Sequence, residues 1–199
     1  MLSDVQRAEL EHVREMLQVR MAGNVRRYTH CLGVARTCAD LARVYDVDVF
    51  DAVLAGLVHD WDKVLDDHEL LARAAQYGVS VVGSPTAAVG LLHGPVAAYE
   101  LPHIFDAISP DVCQAVCRHT VGARDMTDLD MVVFVADAIE PGRHGSYAER
   151  LRGLVGAEPL EELFFQTFAQ GLVYVISGGR YLYPTAIDIY NSYAAKRCR

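Results

Sequence analysis

The sequence has little positive charge and no long stretch free of charged residues. It contains 18 lysine and arginine residues against 26 aspartate and glutamate residues, which gives a net charge of −8. A protein that covers a nucleic-acid polymer needs a basic face, and this balance argues against one. No uncharged run reaches the roughly 18 residues of a membrane-spanning helix. The sequence therefore predicts neither a nucleic-acid polymer nor a membrane as a partner.

Cysteine motifs are also missing. The five cysteines include no Cys-x-x-Cys pair, and the charged N-terminal segment MLSDVQRAELEHVREM does not read as a signal peptide. We therefore expect buried, reduced thiols in a cytoplasmic protein. The alternative is a zinc site of Cys113, Cys117 and His119, which lacks a fourth ligand at the usual spacing.

Hydrophobic residues recur at helical spacing along the chain, and no repeat, low-complexity tract or clear linker divides it. With 199 residues, 52% of them hydrophobic, the chain suits one domain with a sizeable core. The sequence predicts an all-α, single-domain helical bundle of seven or more helices over residues 1–199. The centre of this domain would span about residues 25–145. The aromatic-rich helices of residues 146–199 would cover it or form the seam of a homodimer.

The segment AVLAGLVHDWDK, residues 52–63, carries seven uncharged residues before His59 and Asp60. Such a run is expected in the interior, which places the His-Asp pair where a buried helix ends. A buried carboxylate is costly unless it is paired or binds a metal. Because adjacent helical residues point about 100° apart, this helix can offer two ligands to a cation, and the others must come from elsewhere. The alternative is a pair that merely caps the helix and meets water.

Three more histidines and a second aspartate fall at or near predicted buried helix faces. His30 lies one turn before Val34 on an apolar stripe, His93 precedes a Gly-Pro turn into a helix, and His119 ends a helix. Asp137 stands inside the apolar segment MVVFVADAI. Each residue has an ordinary structural explanation by itself. The combined set of nitrogen and oxygen ligands is His30, His59, Asp60, His93, His119 and Asp137. This set favours iron, manganese or zinc, and its size fits two metal ions bridged by one carboxylate.

The order of these residues resembles that of the HD-domain metal-dependent phosphohydrolases. Within them it is similar to the YqeK-type family of symmetrical diadenosine tetraphosphate hydrolases. The matching segments, in family order, are RYTHCLGVA, AGLVHDWDK, HGPVAAYE, HTVG and VADAIEPGR. Trp61 and Asp62 stand where similar proteins often have a small or apolar residue, and Cys31 replaces a common serine.

The resemblance implies an HD-type bundle with two divalent or mixed-valence metal ions, commonly iron in this family. One metal ion would be held by His30, His59, Asp60 and Asp137. The second would be held by Asp60, His93 and His119, so that Asp60 is the bridge. The substrate would be a dinucleoside polyphosphate or another nucleotide. Water activated by the metal ions would attack one of the two inner phosphorus atoms, and two ADP molecules would leave.

The candidates for substrate binding are Arg27, Lys63, Thr120 and Arg143. Lys63 and Arg143 are expected to stabilise the charge that develops on the phosphate, although Lys63 could also be an ordinary surface lysine. Asp62 is a candidate general acid or else the ion-pair partner of Lys63. The predicted catalytic residues are therefore Asp60, Asp62 and Lys63.

Other functions stay open at this point. The same metal centre could serve a nucleoside monophosphatase or a cyclic-nucleotide phosphodiesterase. The protein could instead bind a nucleotide or metal as a regulatory partner without turnover. A haem- or oxygen-binding helical bundle is the third alternative. Product analysis separates the phosphohydrolase functions, because only the symmetrical cut yields two ADP molecules. Turnover that depends on dioxygen would identify the third alternative.

Overall fold

A computed structural model describes residues 2–197, and within this range every regular element is helical. Its α-helices are α1 (Asp4–Arg20), α2 (Val25–Tyr45), α3 (Val49–Val58), α4 (Asp67–Gln76), α5 (Pro85–Ala88), α6 (His93–Glu100), α7 (Pro110–Arg118), α8 (Asp128–Ile139), α9 (Ser146–Arg152), α10 (Leu160–Ser177) and α11 (Thr185–Arg197). Short 3-10 helices cover Val89–Leu91 and Leu101–His103. The predicted all-α bundle is confirmed. None of these helices combines the length and the apolar character that crossing a bilayer requires.

Polar side chains fix the starts of the helices around the site. The sequence predicts Asn24 as the cap of α2, Asp48 or Asp51 as the start of α3, and Thr127 or Asp128 as the start of α8. In the structure the Asn24, Asp48 and Thr127 side chains cap these helices by accepting backbone N–H bonds. Asp111, directly before the helical segment VCQAVCRH, predicts a cap at that residue, and this prediction is wrong. Ser109 caps α7 instead, because Pro110 suits the first helical position, and Asp111 falls in the first turn.

In the segment VSVVGSPTAAVG, Gly83, Ser84 and Pro85 interrupt a valine run that could form a strand, which predicts a loop. In the structure this segment is partly helical. Residues 79–84 are irregular, but Ser84 then caps α5 by accepting from the Ala87 N–H, with Pro85 at the start of the helix. Proline favours this position because its missing N–H would have no intrahelical partner there. The same residues that break a strand therefore begin a helix.

Helices α2 and α3 form the centre of the core. Gly56 of α3 lies so close to α2 that an added Cβ would sit 2.7 Å from the Ala35 Cα atom. Helix α8 packs on α2, and α10 covers α8 through the Phe134 and Phe164 rings, whose centroids are 5.0 Å apart. The C-terminal helices thus pack on the predicted centre of the fold. The assignment of all 199 residues to one domain stays a prediction.

The residues that depart from the family pattern pack into the core. Trp61 is 4% exposed and meets the Phe105 ring edge-on, with the ring centroids 5.3 Å apart. Cys31 is buried beside the Met21 sulfur atom. The expectation of buried thiols holds for Cys31 and Cys38. The expectation is wrong for Cys113 and Cys117, which are only half-buried. The four thiols are free, and the fifth cysteine, Cys198, lies outside the described residues.

Candidate metal centre

Five parts of the chain bring the predicted ligands together. His30 lies on α2, His59 and Asp60 follow α3, His93 begins α6, His119 follows α7, and Asp137 lies on α8. Four of the ligands are buried, namely His59, Asp60, His93 and His119. The apolar segment around Asp137 predicts a buried carboxylate, but its side chain is 27% exposed and therefore only half-buried.

Asp60 stands between two groups of histidines. Its Oδ2 atom lies 3.4 Å from His59 Nε2 and 3.7 Å from His30 Nε2. Its Oδ1 atom lies 3.0 Å from His93 Nε2 and 3.8 Å from His119 Nε2. Each carboxylate oxygen therefore serves a different pair of imidazoles, which is the arrangement a bridging ligand needs.

Three of the histidines are oriented by their own helical turn. Nδ1 of His59, His93 and His119 lies 2.8, 2.8 and 2.7 Å from the backbone carbonyl oxygen three residues earlier. Because a carbonyl oxygen only accepts hydrogen bonds, Nδ1 carries the proton and Nε2 keeps its lone pair. Metal-binding histidines show this same support, in which the second ring nitrogen donates to a carbonyl or carboxylate.

His30 takes its support from a distant residue. Its Nδ1 atom lies 3.1 Å from Glu140 Oε1, and its Nε2 atom lies 3.1 Å from Asp137 Oδ1. The buried Glu140 carboxylate also accepts the Gly142 N–H at 2.6 Å. Gly33 leaves room for it, because a Cβ there would lie 2.6 Å from Glu140 Oε2. Sequence reasoning missed Glu140, although its place one turn after Asp137 puts both carboxylates on one helix face.

The electrostatics of the site favour neutral imidazoles at His93 and His119 beside an ionised Asp60 carboxylate. Burial, together with the neighbouring His93 and His59, lowers the pKa of His119 to about 3, so this ring is neutral at pH 7. Burial also lowers the pKa of His93. Burial lowers the pKa of His59, but the charge and hydrogen bond of Asp60, together with the charge of Asp137, outweigh it and raise the pKa. The histidines in turn outweigh the burial of Asp60 and hold the pKa of that carboxyl well below its usual range. Metal ions bind these deprotonated forms.

The donor set fits transition-metal ions in two positions. In each of two groups the candidate ligand atoms lie within 4.8 Å of one another. These groups are His30, His59 and Asp60, and Asp60, His93 and His119. Asp137 adjoins the first through His30. Nitrogen and oxygen donors of this kind suit iron, manganese or zinc. Neither group contains Cys113 or Cys117, which the alternative zinc site would require.

Two of the predicted substrate-binding residues contact the ligand carboxylates. Arg27 donates a hydrogen bond to Asp60 Oδ2. Arg143 donates to Asp137 Oδ1 at 2.5 Å and to the Asp137 backbone carbonyl at 2.8 Å. Each guanidinium has further N–H groups beyond these bonds. The two arginines therefore lie where they can neutralise charge at the centre.

Lys63 and Thr120 lie at the other side of the centre. Lys63 Nζ donates to the Gly90 carbonyl at 2.9 Å and lies 3.2 Å from His93 Nδ1. The Thr120 hydroxyl lies 3.5 Å from the Leu91 carbonyl oxygen. Both residues adjoin the segment that carries His93.

Asp62 points away from the ligands. Its side chain is buried, and its Oδ1 atom accepts a hydrogen bond from Arg20 at 2.6 Å. Its Oδ2 atom has no partner among residues 2–197, and burial raises the pKa of Asp62 to about 6. The predicted ion pair between Asp62 and Lys63 is therefore wrong. Lys63 instead turns toward Gly90, and the role of Asp62 as a general acid stays a prediction.

A cavity of about 930 Å³ opens beside His30 and Glu140. The arginines that line it are Arg26, Arg27, Arg36 and Arg143. This volume lies in the range of small-molecule binding sites. The arginines that line the cavity suit an anionic ligand.

The fold and the histidine-aspartate centre define a class. The chain belongs to the HD domain family, whose model matches residues 27–142. It is 31% identical over 171 residues to the symmetrical bis(5'-nucleosyl)-tetraphosphatase of Staphylococcus aureus, an alignment that covers 84% of this chain and 87% of the relative. The enzyme of the same name from Halalkalibacterium halodurans is 30% identical, with 83% and 87% covered.

A solved structure agrees with this assignment. The crystal structure of a predicted HD superfamily hydrolase involved in NAD metabolism, from Clostridium acetobutylicum, matches with a TM-score of 0.85 at 28% sequence identity. The match covers 94% of this chain and 97% of that one. The family resemblance that the sequence predicts is confirmed.

Proposed function

We propose that the protein is a metal-dependent hydrolase that cleaves diadenosine tetraphosphate symmetrically to two ADP molecules. The observation that carries this proposal is the position of Asp60, whose two oxygens face different histidine pairs. The names of the relatives, which cover most of the chain, support the substrate.

The proposed cofactor is a pair of metal ions, with iron as our first choice. His30, His59, Asp60 and Asp137 would hold one ion. Asp60, His93 and His119 would hold the other. When bound, such ions lower the pKa of a coordinated water and polarise phosphate oxygens.

The chain supplies the positive charge around the substrate. Arg27 and Arg143 hold the Asp60 and Asp137 carboxylates in place with one part of each guanidinium and present their other N–H groups to phosphate oxygens. Lys63 brings a further cation to the side of His93. The Thr120 hydroxyl supplies a neutral hydrogen bond at the same side. These groups would stabilise the charge that develops as the phosphoric anhydride breaks.

The first experiment measures metal content together with the products formed from diadenosine tetraphosphate, resolved by chromatography. We expect two ADP molecules from the metal-loaded protein and none from His59→Ala. His103→Ala is the matched control, because this histidine is exposed and lies outside the ligand set. AMP plus ATP, or no product at all, would overturn the proposed function.

The same assay resolves the other functions. Turnover of AMP or cyclic AMP without ADP from the tetraphosphate would indicate a monophosphatase or a phosphodiesterase. Nucleotide binding without any turnover would indicate a regulatory protein. We also expect a cytoplasmic setting, where the free thiols would stay reduced. The homodimer stays a prediction. It is supported by three exposed apolar residues on α10, namely Val173, Tyr174 and Ile176.

A further inference from the structure

Two arginines in the large cavity have no assigned task. The chain has a net charge of −8, yet four arginines line this one cavity. Arg27 and Arg143 contact the ligand carboxylates. Arg26 and Arg36 are exposed, and neither forms an ion pair within the described part of the chain. The one carboxylate among the described lining residues, Glu140, is engaged by His30.

These arginines flank the metal centre along one helix. Arg26, His30, Gly33 and Arg36 follow the helical spacing of one face of α2, and all four line the cavity. At 1.5 Å per residue, Arg26 lies about 6 Å before His30 along the helix axis and Arg36 about 9 Å after it. Positive charge therefore extends from the centre in both directions along α2.

An apolar groove adjoins the large cavity at Arg36. Arg36 and Leu32 line both spaces. The groove measures about 360 Å³, and its apolar lining residues are Leu10, Leu32, Ala35, Ala39, Val53 and Leu57. Its other arginines, Arg7 and Arg14, are paired with acidic residues of α1. Arg36 is therefore the unpaired cation at the junction of a polar cavity and an apolar groove.

The order of these features matches the order of groups in half of a dinucleotide. From the attacked phosphorus outward, diadenosine tetraphosphate presents anionic phosphates, then a ribose, then an apolar base. From the metal centre outward, the protein presents arginines and then an apolar surface. A guanidinium binds a phosphate through two parallel N–H bonds, which suits the first part of this order.

We propose that Arg36 binds a phosphate in one ADP half of the substrate and that the groove beyond it receives the base of that half. Arg26 supplies the matching charge on the opposite side of the centre. This inference rests on the proposed function and makes Arg36 a substrate-binding residue outside the metal centre.

The test compares Arg36→Ala with Arg43→Ala in steady-state hydrolysis of diadenosine tetraphosphate by the metal-loaded protein. Arg43 is the matched control, because it lies on the same helix, is exposed, pairs with Asp40 and lines neither space. We expect Arg36→Ala to raise KM about tenfold to a hundredfold, the scale of a lost hydrogen bond to a charged group, with little change in kcat. Arg36→Lys should recover part of the loss, and Arg43→Ala should behave as the unaltered protein.

Two further measurements locate the effect. Inorganic phosphate is small enough to occupy the metal centre alone, so its inhibition constant should not change in Arg36→Ala. Val53→Asp places a carboxylate on the lining of the groove and should raise KM for the dinucleotide. Val44→Asp, an exposed position of α2 outside both spaces, should not. Thermal unfolding of each variant verifies that it is folded.

The outcomes distinguish a failure of the proposed function from a failure of the proposal about Arg36. If the unaltered protein forms no ADP, the proposed function is wrong and this inference falls with it. If it forms ADP but KM is the same in Arg36→Ala, or rises equally in Arg43→Ala, only the inference is wrong. If Arg36→Ala weakens inhibition by phosphate as much as it raises KM, Arg36 acts at the metal centre instead. If KM is unchanged in Val53→Asp, the base does not bind in the groove.

Discussion

At the scale of single residues, Asp60 joins the two halves of the centre. Its two oxygens face different histidine pairs, so removing them leaves each pair without its shared ligand. We expect Asp60→Ala to lose metal at both positions, whereas Asp137→Ala should lose it at the first position alone. Metal analysis of the purified variants checks this. Two metal ions per chain in Asp60→Ala would contradict the bridging assignment.

Lys63 is the second residue whose role a single substitution can test. Its Nζ atom lies 3.2 Å from His93 Nδ1, and the sequence contains only one other lysine, Lys196. We expect Lys63→Ala to lower kcat/KM about tenfold to a thousandfold, the scale of one lost donor to the transition state. Lys196→Ala is the control, since that residue pairs with Glu161 in the C-terminal helices. A kcat/KM that Lys63→Ala leaves unchanged would make Lys63 an ordinary surface residue.

Glu140 supports His30 from outside the ligand set. Without its carboxylate, His30 Nδ1 loses its acceptor and the ring loses its fixed orientation. We expect Glu140→Ala to weaken metal binding at the first position about tenfold to a hundredfold, which is typical when such a supporting residue is lost. Glu140→Gln retains an acceptor oxygen and should lose less. Metal titration that gives the same affinity for Glu140→Ala and the unaltered protein would show that His30 needs no such support.

At the scale of helices, the end of α1 holds the turn that carries the His-Asp pair. Arg20 donates to Asp62 Oδ1 at 2.6 Å and to the Trp61 carbonyl at 3.3 Å, and its guanidinium lies 5.6 Å from the Trp61 ring centroid. Arg20→Ala would leave the buried Asp62 carboxylate without its cation. We expect the free energy of unfolding to fall by about 3 kcal/mol, as for other broken buried pairs.

Urea unfolding followed by Trp61 fluorescence measures this loss. The double variant with Arg20→Ala and Asp62→Asn carries no unpaired buried charge, so it should regain part of the stability. Equal unfolding free energies for Arg20→Ala and the unaltered protein would show that the pair does not stabilise the turn.

At the scale of the whole molecule, the metal ligands tie together helices that are far apart in sequence. They extend from His30 on α2 to Asp137 on α8. A ligand that binds only the folded state at 100 times its dissociation constant adds about 2.7 kcal/mol of stability. We therefore expect a chelator to lower Tm, and restored metal to raise it again. An identical Tm with and without metal would show that the ions do not couple these helices.

The sequence predicts those features that depend on residues near one another in the chain. Asn24 and Thr127 cap their helices through backbone groups three positions away, and such contacts follow from local spacing. The metal ligands could also be predicted from the sequence, because polar residues within apolar segments are conspicuous. The sequence could not predict that Asp62 pairs with Arg20 or that Glu140 pairs with His30. Helical periodicity shows which face a residue occupies, but only the packing of helices decides which residue it meets.

The supports of the four histidines also set an order of assembly. Three rings donate to a carbonyl in their own helical turn, so each gains its orientation when that short piece of helix forms. His30 depends on Glu140, which lies 110 positions further along the chain. Contacts between distant positions form late, because a long loop must close before they can be made. The newly made chain should therefore acquire a competent second metal position first, and complete the first only when the end of α8 docks on α2.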